Sequence, residues 1–525
     1  MWSIEWNDGF GLLYTLLITI TIIVLCMKIF KYFSSNLHIP IRNFTSHNWK
    51  NICLLNKSCY CNKCEELLID DAFCCDCCGV CAHTTCIKTV NKLQKCKSIT
   101  TFDKGPMKHH WVKGILEVSL HCEVCEEECG IDSAAKDLKC CWCHRNVHAT
   151  CQLKLGEICD FGKFRSLIVP PSSVQLIKKK PGISQKYLIT KVVPPSWPNW
   201  SPLVVIANCK SGNKDGDVIL SCFRHLLNPV QVIDLSERPP EAALEWCHLL
   251  SPIAPYILVA GGDGTIGWVL STIQKMKLDP VPSVAVVPLG TGNDLSRVLG
   301  WGSEYSTSTS GPAIMEMIQR AKVVPLDRWK LDINTQSTIY RPQHHHALHM
   351  YNYVSIGVDA QVTLDFHKTR ESKFYIFSSR IFNKLLYLCF GTQQVVGREC
   401  QGLENYIEVF LDGKEVELPE IESVVILNIP SWGAGVNLWP MCSVEGDREE
   451  NISDGYLEVV AIHSSFHIAQ LQVGLSQPHR LGQASHVKIK LKDKSAMQVD
   501  GEPWVQLPGE INISHVNQAA LLKLD

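Results

Sequence analysis

Residues Tyr256 to Thr265, YILVAGGDGT, constrain the fold of this chain more than any other stretch. Ile257, Leu258, Val259 and Ala260 have the apolar, β-branched content of a buried parallel strand. The run breaks at Gly261-Gly262-Asp263-Gly264-Thr265, and Ile266, Val269, Leu270 and Ile273 then recur at helical spacing. Strand, glycine turn and helix in that order bring bare backbone and the amides of a helix start up to an anion. A tight turn needing positive φ at several positions would use glycines in the same way. The Asp263 carboxylate and Thr265 hydroxyl inside the turn favour phosphate, because a phosphate site needs a metal or proton handler.

The neighbouring stretches repeat the pattern. Residues 203–207 read as a buried strand running into Asn208-Cys209-Lys210-Ser211-Gly212. A helical stretch reaches Leu227, a strand covers 230–235, and a helix covers 241–250. After the GGDGT helix, a strand at 284–287 ends in Pro288-Leu289-Gly290-Thr291-Gly292-Asn293-Asp294. Alternation of this kind predicts an α/β doubly wound parallel sheet, with ligands held where the loops converge at the carboxyl ends of the strands. The loops match neither a Rossmann G-x-G-x-x-G nor a Walker G-x-x-x-x-G-K-S/T pattern.

From about Leu326 the pattern alternates over 406–411, 423–429, 456–462 and 487–491, which predicts a C-terminal antiparallel β-sandwich. Residues 374–390 are the exception and read as an amphipathic helix with Arg380 and Lys384 on one side. His344, His345, His346 and His349 read as a polar surface loop ahead of a metal site. Asp454 and Asp500-Gly501-Glu502 sit in turns between apolar strands. Hairpins favour Asp-Gly, and that suffices for Asp454.

The chain has 525 residues, room for several domains, and a net charge of −2, which suggests no nucleic-acid partner. Of its 26 cysteines, 19 lie between Cys53 and Cys159. They fall into two modules, 47–96 and 109–159. The second reads His109-x12-Cys122-x2-Cys125-x14-Cys140-x2-Cys143-x4-His148-x2-Cys151-x7-Cys159. The first reads His47-x13-Cys61-x2-Cys64-x10-Cys75-x2-Cys78-x4-His83-x2-Cys86-x9-Cys96, with Cys59, Cys74, Cys77 and Cys81 to spare. Eight ligands in each make two tetrahedral zinc ions per module, about four structural ions in all. The metal folds segments too small to build a core.

At the N-terminus, residues 10–27 carry no charge and as a helix would reach roughly 27 Å, close to the hydrocarbon thickness of a bilayer. Trp2 and Trp6 precede the run, and Lys28, Lys31, Arg42 and Lys50 follow it. The positive-inside bias puts residues 1–9 on the non-cytosolic side and the bulk of the chain in the cytosol. A signal peptide would want basic residues before the run and a small-residue cleavage site after it. The expectation is therefore a membrane anchor, spanning or hairpin, in the endoplasmic reticulum or plasma membrane. Prolines punctuate residues 160–200, which read as a linker with a basic patch at Lys178-Lys179-Lys180 and Lys186.

Two resemblances sharpen these readings. The cysteine modules, each opening with His-x-Trp, resemble the phorbol-ester/diacylglycerol zinc module of protein kinase C. The resemblance implies interleaved sets: His47, Cys75, Cys78 and Cys96; Cys61, Cys64, His83 and Cys86; His109, Cys140, Cys143 and Cys159; Cys122, Cys125, His148 and Cys151. Whether either module binds diacylglycerol is left open. The stretches N-x-K-S-G, GGDGT, PLGTGND, YVSIGVDA (353–360), FHKTRE (366–371) and DGEPW (500–504), in this order, resemble the catalytic domain of the diacylglycerol kinases. Paired zinc modules behind an N-terminal apolar run are similar to the epsilon type of that family. Cys209 departs from the family, which usually has proline there.

The resemblance implies a kinase region divided into an α/β catalytic domain over 201–325 and a β-rich accessory half over 326–525. It implies phosphoryl transfer from ATP to the hydroxyl of diacylglycerol, giving phosphatidic acid, by positioning and neutralisation of charge. Gly261, Gly262, Gly264, Gly290 and Gly292 would cradle phosphate, with Thr265, Thr291, Asn208, Asn293, Lys210, Ser211 and Gly212 beside it. Asp263, Asp294 and Asp500 are candidate Mg²⁺ ligands. Asp263 and Glu502 compete as the base for the lipid hydroxyl. The alternatives are a sphingosine-type lipid kinase, an NAD kinase, which shares GGDGT, or a catalytically silent diacylglycerol sensor working through its zinc modules. No protein partner is inferable.

Overall fold

The structure, a computed structural model, describes residues 39–41, 46–51, 59–69, 72–101, 105–113, 120–129, 137–178, 187–306, 308–335, 345–371 and 400–525. The apolar run 10–27, Lys179, Lys180, Lys186, His344 and the stretch 374–390 lie outside the described residues. Among those described, no helix is long and apolar enough to cross a membrane.

Four parallel strands lie in the order Val232–Asp234, Leu203–Ala207, Tyr256–Gly261, Ser283–Pro288. Every residue of Leu203–Ala207 is buried, as a strand covered on both faces requires. Helices Asp215–Leu226, Pro240–Leu250 and Asp263–Met276 supply the cover. The first buries Ile219, Leu220, Phe223 and Leu226 along one stripe. It carries Asp215 and Asp217 in its first turn and Arg224 and His225 in its last, the charge order its dipole favours. Register sets the site. Ala207 lies opposite Ala260, and Gly261 opposite Pro288, so the three polar loops leave the sheet at one edge.

The sheet does not end with the α/β region. Ser283–Pro288 pairs in parallel with the C-terminal strand Gly509–Lys523 at Val284 and Leu521. That strand pairs antiparallel with Lys322–Thr335 along its whole length. The strand Lys322–Thr335 therefore runs across the boundary expected at 325/326, and the two halves share one ten-stranded sheet. His345–Met350 pairs with the same strand, so the histidine-rich stretch is a strand where a loop was expected. Its alternate residues face neighbours that a sequence window does not contain.

A second sheet, ordered His479–Ala484, Leu457–Ile462, Ser423–Leu427, Tyr353–Gly357, Ser495–Val499, Glu502–Gln506, faces the antiparallel part of the first. Trp329, Leu331 and Ile333 from one sheet and Val354, Ile356, Val424 and Ile426 from the other share a core. The outer face of the six-stranded sheet is covered as well, through Val425, Val460, Trp432, Trp439 and Leu471. The C-terminal sandwich expected from the sequence is present, and the central strands of its six-stranded sheet are buried on both sides.

The two cysteine-rich modules repeat one topology. Trp49–Asn51, Ala72–Cys75 and Cys81–His83 form one three-stranded sheet, and Trp111–Lys113, Leu138–Cys140 and Asn146–Val147 the other. Both pack on helix Asp215–Leu226. Arg224 meets Asp76 at 3.0 Å, Lys50 meets Asp217 at 2.8 Å, and buried Lys97 donates to the His225 carbonyl at 2.7 Å beneath the Trp142 ring. Residues 160–200 are no linker where they are described. Leu167, Ile168, Val169, Val174, Ile189, Val192 and Trp200 are buried in the catalytic core. Val174–Lys178 and Tyr187–Val192 pair with each other. Gln231 ties the segment down by accepting from the Val169 amide and donating to the Leu167 carbonyl. Prolines gave the segment the punctuation of a linker, while its apolar residues find partners far away in sequence.

Candidate active site

The GGDGT turn opens helix Asp263–Met276, with Gly262 as its N-cap. The first amides of a helix have no carbonyl within it to bond, so this turn offers donors to a ligand. Two glycines are required by contact. A Cβ on Gly261 would sit 2.6 Å from Thr265 Cβ, and one on Gly262 would sit 3.0 Å from Gly290 Cα. Thr265 thus folds back over Gly261, and the GGDGT and PLGTGND turns touch. Gly290, Thr291 and Gly292 remain partly open to the crevice.

Asn293 differs from expectation. It is buried, its Oδ1 accepts from the Gly290 amide at 2.8 Å, and its Nδ2 donates to the carbonyls of Gly290 and Ser303. Its side chain shapes the turn, with both amide hydrogens spent on carbonyls there. One strand over, Asn208 Oδ1 accepts from the Lys210 amide at 3.0 Å, and Lys210 is exposed, with Ser211 and Gly212 half-buried beside it. Cys209 donates its amide to Asp234 at 3.2 Å, a bond proline could not make, so an anchored N–H replaces ring stiffness in this turn.

Three acids gather where the two halves meet. Asp263 accepts from the amides of Asp294 and Leu295 at 3.0 and 3.1 Å. Burial, with the negative charge of Asp294 added, pushes its carboxyl up to about 6. Asp500 comes from the accessory half, in a two-residue hairpin with φ of 51° at Asp500 and 87° at Gly501, a primed turn. Its carboxylate accepts three amides, from Tyr351, Asn352 and Tyr353 at 2.9, 2.7 and 3.1 Å. Burial still outweighs them, and with Asp263 nearby the group rises to about 7. The hairpin reading of Asp500 holds, and the hairpin brings its carboxylate beside Asp263.

Asp294 is held differently. Its carboxylate accepts from Ser431 Oγ at 2.5 Å and from the amides of Gly435 and Ala434 at 3.0 and 3.3 Å. Burial raises its pKa against those bonds. With three donors from the accessory half, Asp294 fastens one half to the other. Glu502 follows the hairpin and is exposed, its Oε1 3.1 Å from where a Cβ on Gly264 would stand. Asp454 stays local, bonding the Tyr456 amide.

Asn352, Arg297 and the 431–435 loop belong to the site and escaped sequence reading. Asn352 bonds both Asp263 and Asp500, and its buried Oδ1 has no partner. An orphaned oxygen between two crowded acids suits a divalent cation. Arg297 Nε donates to the Gly292 carbonyl at 3.2 Å beside Asp294. Signals existed: Asn352 directly precedes the 353–360 stretch, and Gly433-Ala434-Gly435 is a small-residue cluster in which all three φ are positive.

Away from the crevice, the four sets His47/Cys75/Cys78/Cys96, Cys61/Cys64/His83/Cys86, His109/Cys140/Cys143/Cys159 and Cys122/Cys125/His148/Cys151 each bring their donor atoms within 4.8 Å. Cys75 and Cys96 sulfurs lie 3.6 Å apart, near the ~3.8 Å edge of a tetrahedral zinc–sulfur shell. The far nitrogens of His47 and His148 face the backbone carbonyls of Gln94 and Glu128, as zinc-bound imidazoles do. These sets could hold zinc.

Comparison with known proteins agrees with this geometry. Residues 202–327 match the diacylglycerol kinase catalytic domain, and residues 349–503 the diacylglycerol kinase accessory domain. Probable diacylglycerol kinase 3 of Caenorhabditis elegans is 34% identical over 521 residues, covering 91% of this chain and 64% of that protein. Diacylglycerol kinase 2 of Arabidopsis thaliana is 30% identical over 562 residues, covering 86% and 78%. Diacylglycerol kinase theta of Mus musculus is 39% identical over 327 residues, covering 60% and 34%. The chain spans less than two thirds of the nematode and mouse proteins. With similarity running through both halves of the kinase region and over 78% of the plant protein, the chain belongs to the diacylglycerol kinase family and has that family's catalytic and accessory domains.

Proposed function

We propose that the chain transfers the terminal phosphoryl group of ATP to the free hydroxyl of diacylglycerol, yielding phosphatidic acid at a membrane surface. The observation that carries this reading is the meeting of two halves at one crevice: exposed Glu502 of the accessory half stands over Gly264 of the phosphate turn. Amides of the 261–264 and 290–292 turns hold phosphate oxygens, Ser211 donates its hydroxyl to them, and Lys210 and Arg297 offset their charge. Asp263, Asp500 and Asn352 would hold Mg²⁺, which when bound neutralises charge on the transferred group. Asp294 keeps the halves in register. Glu502 takes the proton of the lipid hydroxyl. Both oxygens of Asp263 already accept backbone amides, whereas Glu502 faces the open side from which a lipid arrives.

The sixteen zinc ligands brace modules that pack on helix Asp215–Leu226, which begins next to the Lys210–Ser211 turn. On its paired modules and apolar N-terminal run, we group the chain with the epsilon type. Residues 10–27 would anchor it, with the bulk in the cytosol, so that the crevice stays at the bilayer holding its substrate. A truncation testing this stops before Ile39, because Ile39–Ile41 pairs with Tyr187–Val192.

The deciding assay offers labelled ATP with mixed micelles of diacylglycerol, of sphingosine, or with NAD. Label in phosphatidic acid is expected. Label in sphingosine phosphate or NADP instead, or none at all from a folded chain, overturns the reading.

A further inference from the structure

The first zinc module contains a second convergence of sulfur that its eight zinc ligands do not use. Strands Ala72–Cys75 and Cys81–His83 place Cys74 directly opposite Cys81. Opposed residues in an antiparallel pair bring their Cβ atoms to about 5 Å. Both thiols turn the same way, since each donates to the Gly79 carbonyl at 3.3 Å. The Cys81 thiol also reaches that of Cys59. Cys59 is brought there by the hairpin that carries zinc ligands Cys61 and Cys64. Leu68 donates its amide to the Cys59 carbonyl, and Asn62 exchanges bonds with Cys81, amide to carbonyl at 2.9 Å and Oδ1 from amide at 2.8 Å. Cys59 and Cys81 are buried and Cys74 half-buried; none is in a disulfide.

Buried cysteines often serve as small hydrophobes, and the second module tests that explanation within the same chain. Counted from its own ligands, the places of Cys59, Cys74 and Cys81 hold Leu120, Lys139 and Asn146. The same topology thus forms with no thiol at any of the three places, so the module fold does not need them. Their clustering calls for another cause. The sulfurs of Cys59 and Cys74 both adjoin that of Cys81, which makes a donor set for a soft, thiophilic cation.

We propose that Cys59, Cys74 and Cys81 form an additional thiolate metal site in the first module, which takes a d¹⁰ cation, Zn²⁺ or Cu⁺. Binding displaces the thiol protons to solvent and forms metal–sulfur bonds, with no change of oxidation state. The first module then holds three ions where the second holds two.

The test counts metal on the purified full chain, handled under reducing, oxygen-free conditions. One arm loads it with Zn²⁺ and the other adds Cu⁺ to the zinc-loaded chain. The four zinc sets account for four ions. A fifth ion is expected in one arm, and which arm gains it identifies the cation. Cys81→Ser should return the count to four, while Cys442→Ser, in the accessory half, should leave five. If Cys81→Ser fails to fold, Cys59→Ser and Cys74→Ser make the same test. If the Zn²⁺ arm gains the ion, replacement of all ions by Co²⁺ gives an independent readout, because losing three of fifteen thiolate bonds should lower the sulfur-to-cobalt absorption by about a fifth. Turnover should change by less than twofold. Four ions in both arms for the unaltered chain would overturn the proposal, as would a non-reduced mass showing a Cys74–Cys81 disulfide in its place.

Discussion

The glycine turns at the parallel strand ends and the Asp500-Gly501 hairpin line one crevice from opposite sides, and they are built on opposite principles. In the turns, function is placed on the backbone. Side chains are excluded because Gly262 and Gly290 touch, and Asn293 spends its amide on the turn itself. In the hairpin the backbone serves the side chains: three amides of residues 351–353 fix the Asp500 carboxylate, while Glu502 is left exposed. One side tolerates almost no atom added, and the other presents acids on a fixed hairpin. On the proposed mechanism, anion binding and proton handling are thereby divided between the two halves.

The division is broken most directly at Glu502. Glu502→Gln removes the exposed acid while keeping its shape, and turnover should fall by about 10²–10⁴, the usual worth of a general base. The Mg²⁺ concentration giving half-maximal rate should stay where it was. Measuring turnover against Mg²⁺ concentration separates the cases. A shift in Mg²⁺ dependence with little loss of maximal rate would move Glu502 to the metal and return the base to Asp263.

The buried acids should behave in the reverse manner. Asp263→Asn, or Asn352→Ala, should raise the half-saturating Mg²⁺ concentration by roughly 10–100-fold, with a smaller loss of maximal rate. Their pH dependence has a definite sign. Burial raises Asp263 to about 6 and Asp500 to about 7, from a usual value of 3.8. The metal-free protein is therefore stabilised by these groups fully below about pH 4, and loses that contribution as pH rises through 6 to 7. A cation needs the ionised form, so Mg²⁺ should raise the melting temperature more at pH 8 than at pH 5.5. A Mg²⁺ effect on melting independent of pH would show that these acids do not hold the metal.

Much of this site is legible in the sequence, and the illegible part has a common cause. Strand Tyr256–Gly261 and its glycine turn depend on neighbours within a dozen residues, so a local pattern suffices for them. The Asp-Gly dipeptide marks a hairpin by its own backbone preference. Asn352 and Ser431 matter only because separate strands bring them to Asp263 and Asp294, which no periodicity records. The same holds for residues 160–200, whose prolines speak of a linker while Gln231 and Trp200 pin them into the core. Asp294 shows the limit most sharply. Its motif marked it as a metal ligand, and its use as a tie depends on a loop some 140 residues away.

A smaller effect should follow from loosening the hairpin without touching its acids. Gln498 Oε1 accepts from the Gly501 amide at 2.8 Å, and its Nε2 donates to Ser355 Oγ at 3.0 Å, which in turn bonds Asp359. Gln498→Leu leaves the Gly501 amide unpaired. A loss of about 1–1.5 kcal/mol in positioning corresponds to roughly tenfold in turnover. The KM for ATP should be unchanged, because the turns that hold phosphate lie on the other side. An equal rise in KM for ATP would mean that the two sides are not independent.

The last prediction leaves turnover alone and separates crevice acids from an acid that is merely buried. Glu458, in strand Leu457–Ile462, is 3% exposed, and its carboxylate accepts from Gln483 Nε2 at 3.0 Å. Burial, with Glu450 and Asp454 nearby, raises it to about 8 from 4.5. Its folded state favours the proton, so its contribution to stability is complete below about pH 4.5 and is lost as pH rises through 8. Glu458→Gln keeps an acceptor for Gln483 and removes the charge. At pH 8.5 the variant should be more stable than the unaltered chain by on the order of 1–3 kcal/mol, and at pH 4.5 the two should match. Turnover should stay within twofold. Saturating Mg²⁺ then divides the remaining pH dependence: it should suppress the part owed to Asp263 and Asp500 and leave the Glu458 part intact. Melting curves from pH 4.5 to 9, with and without Mg²⁺, would show it. If Mg²⁺ abolishes the Glu458 part as well, that acid communicates with the crevice and the line drawn between the two kinds of buried acid is wrong.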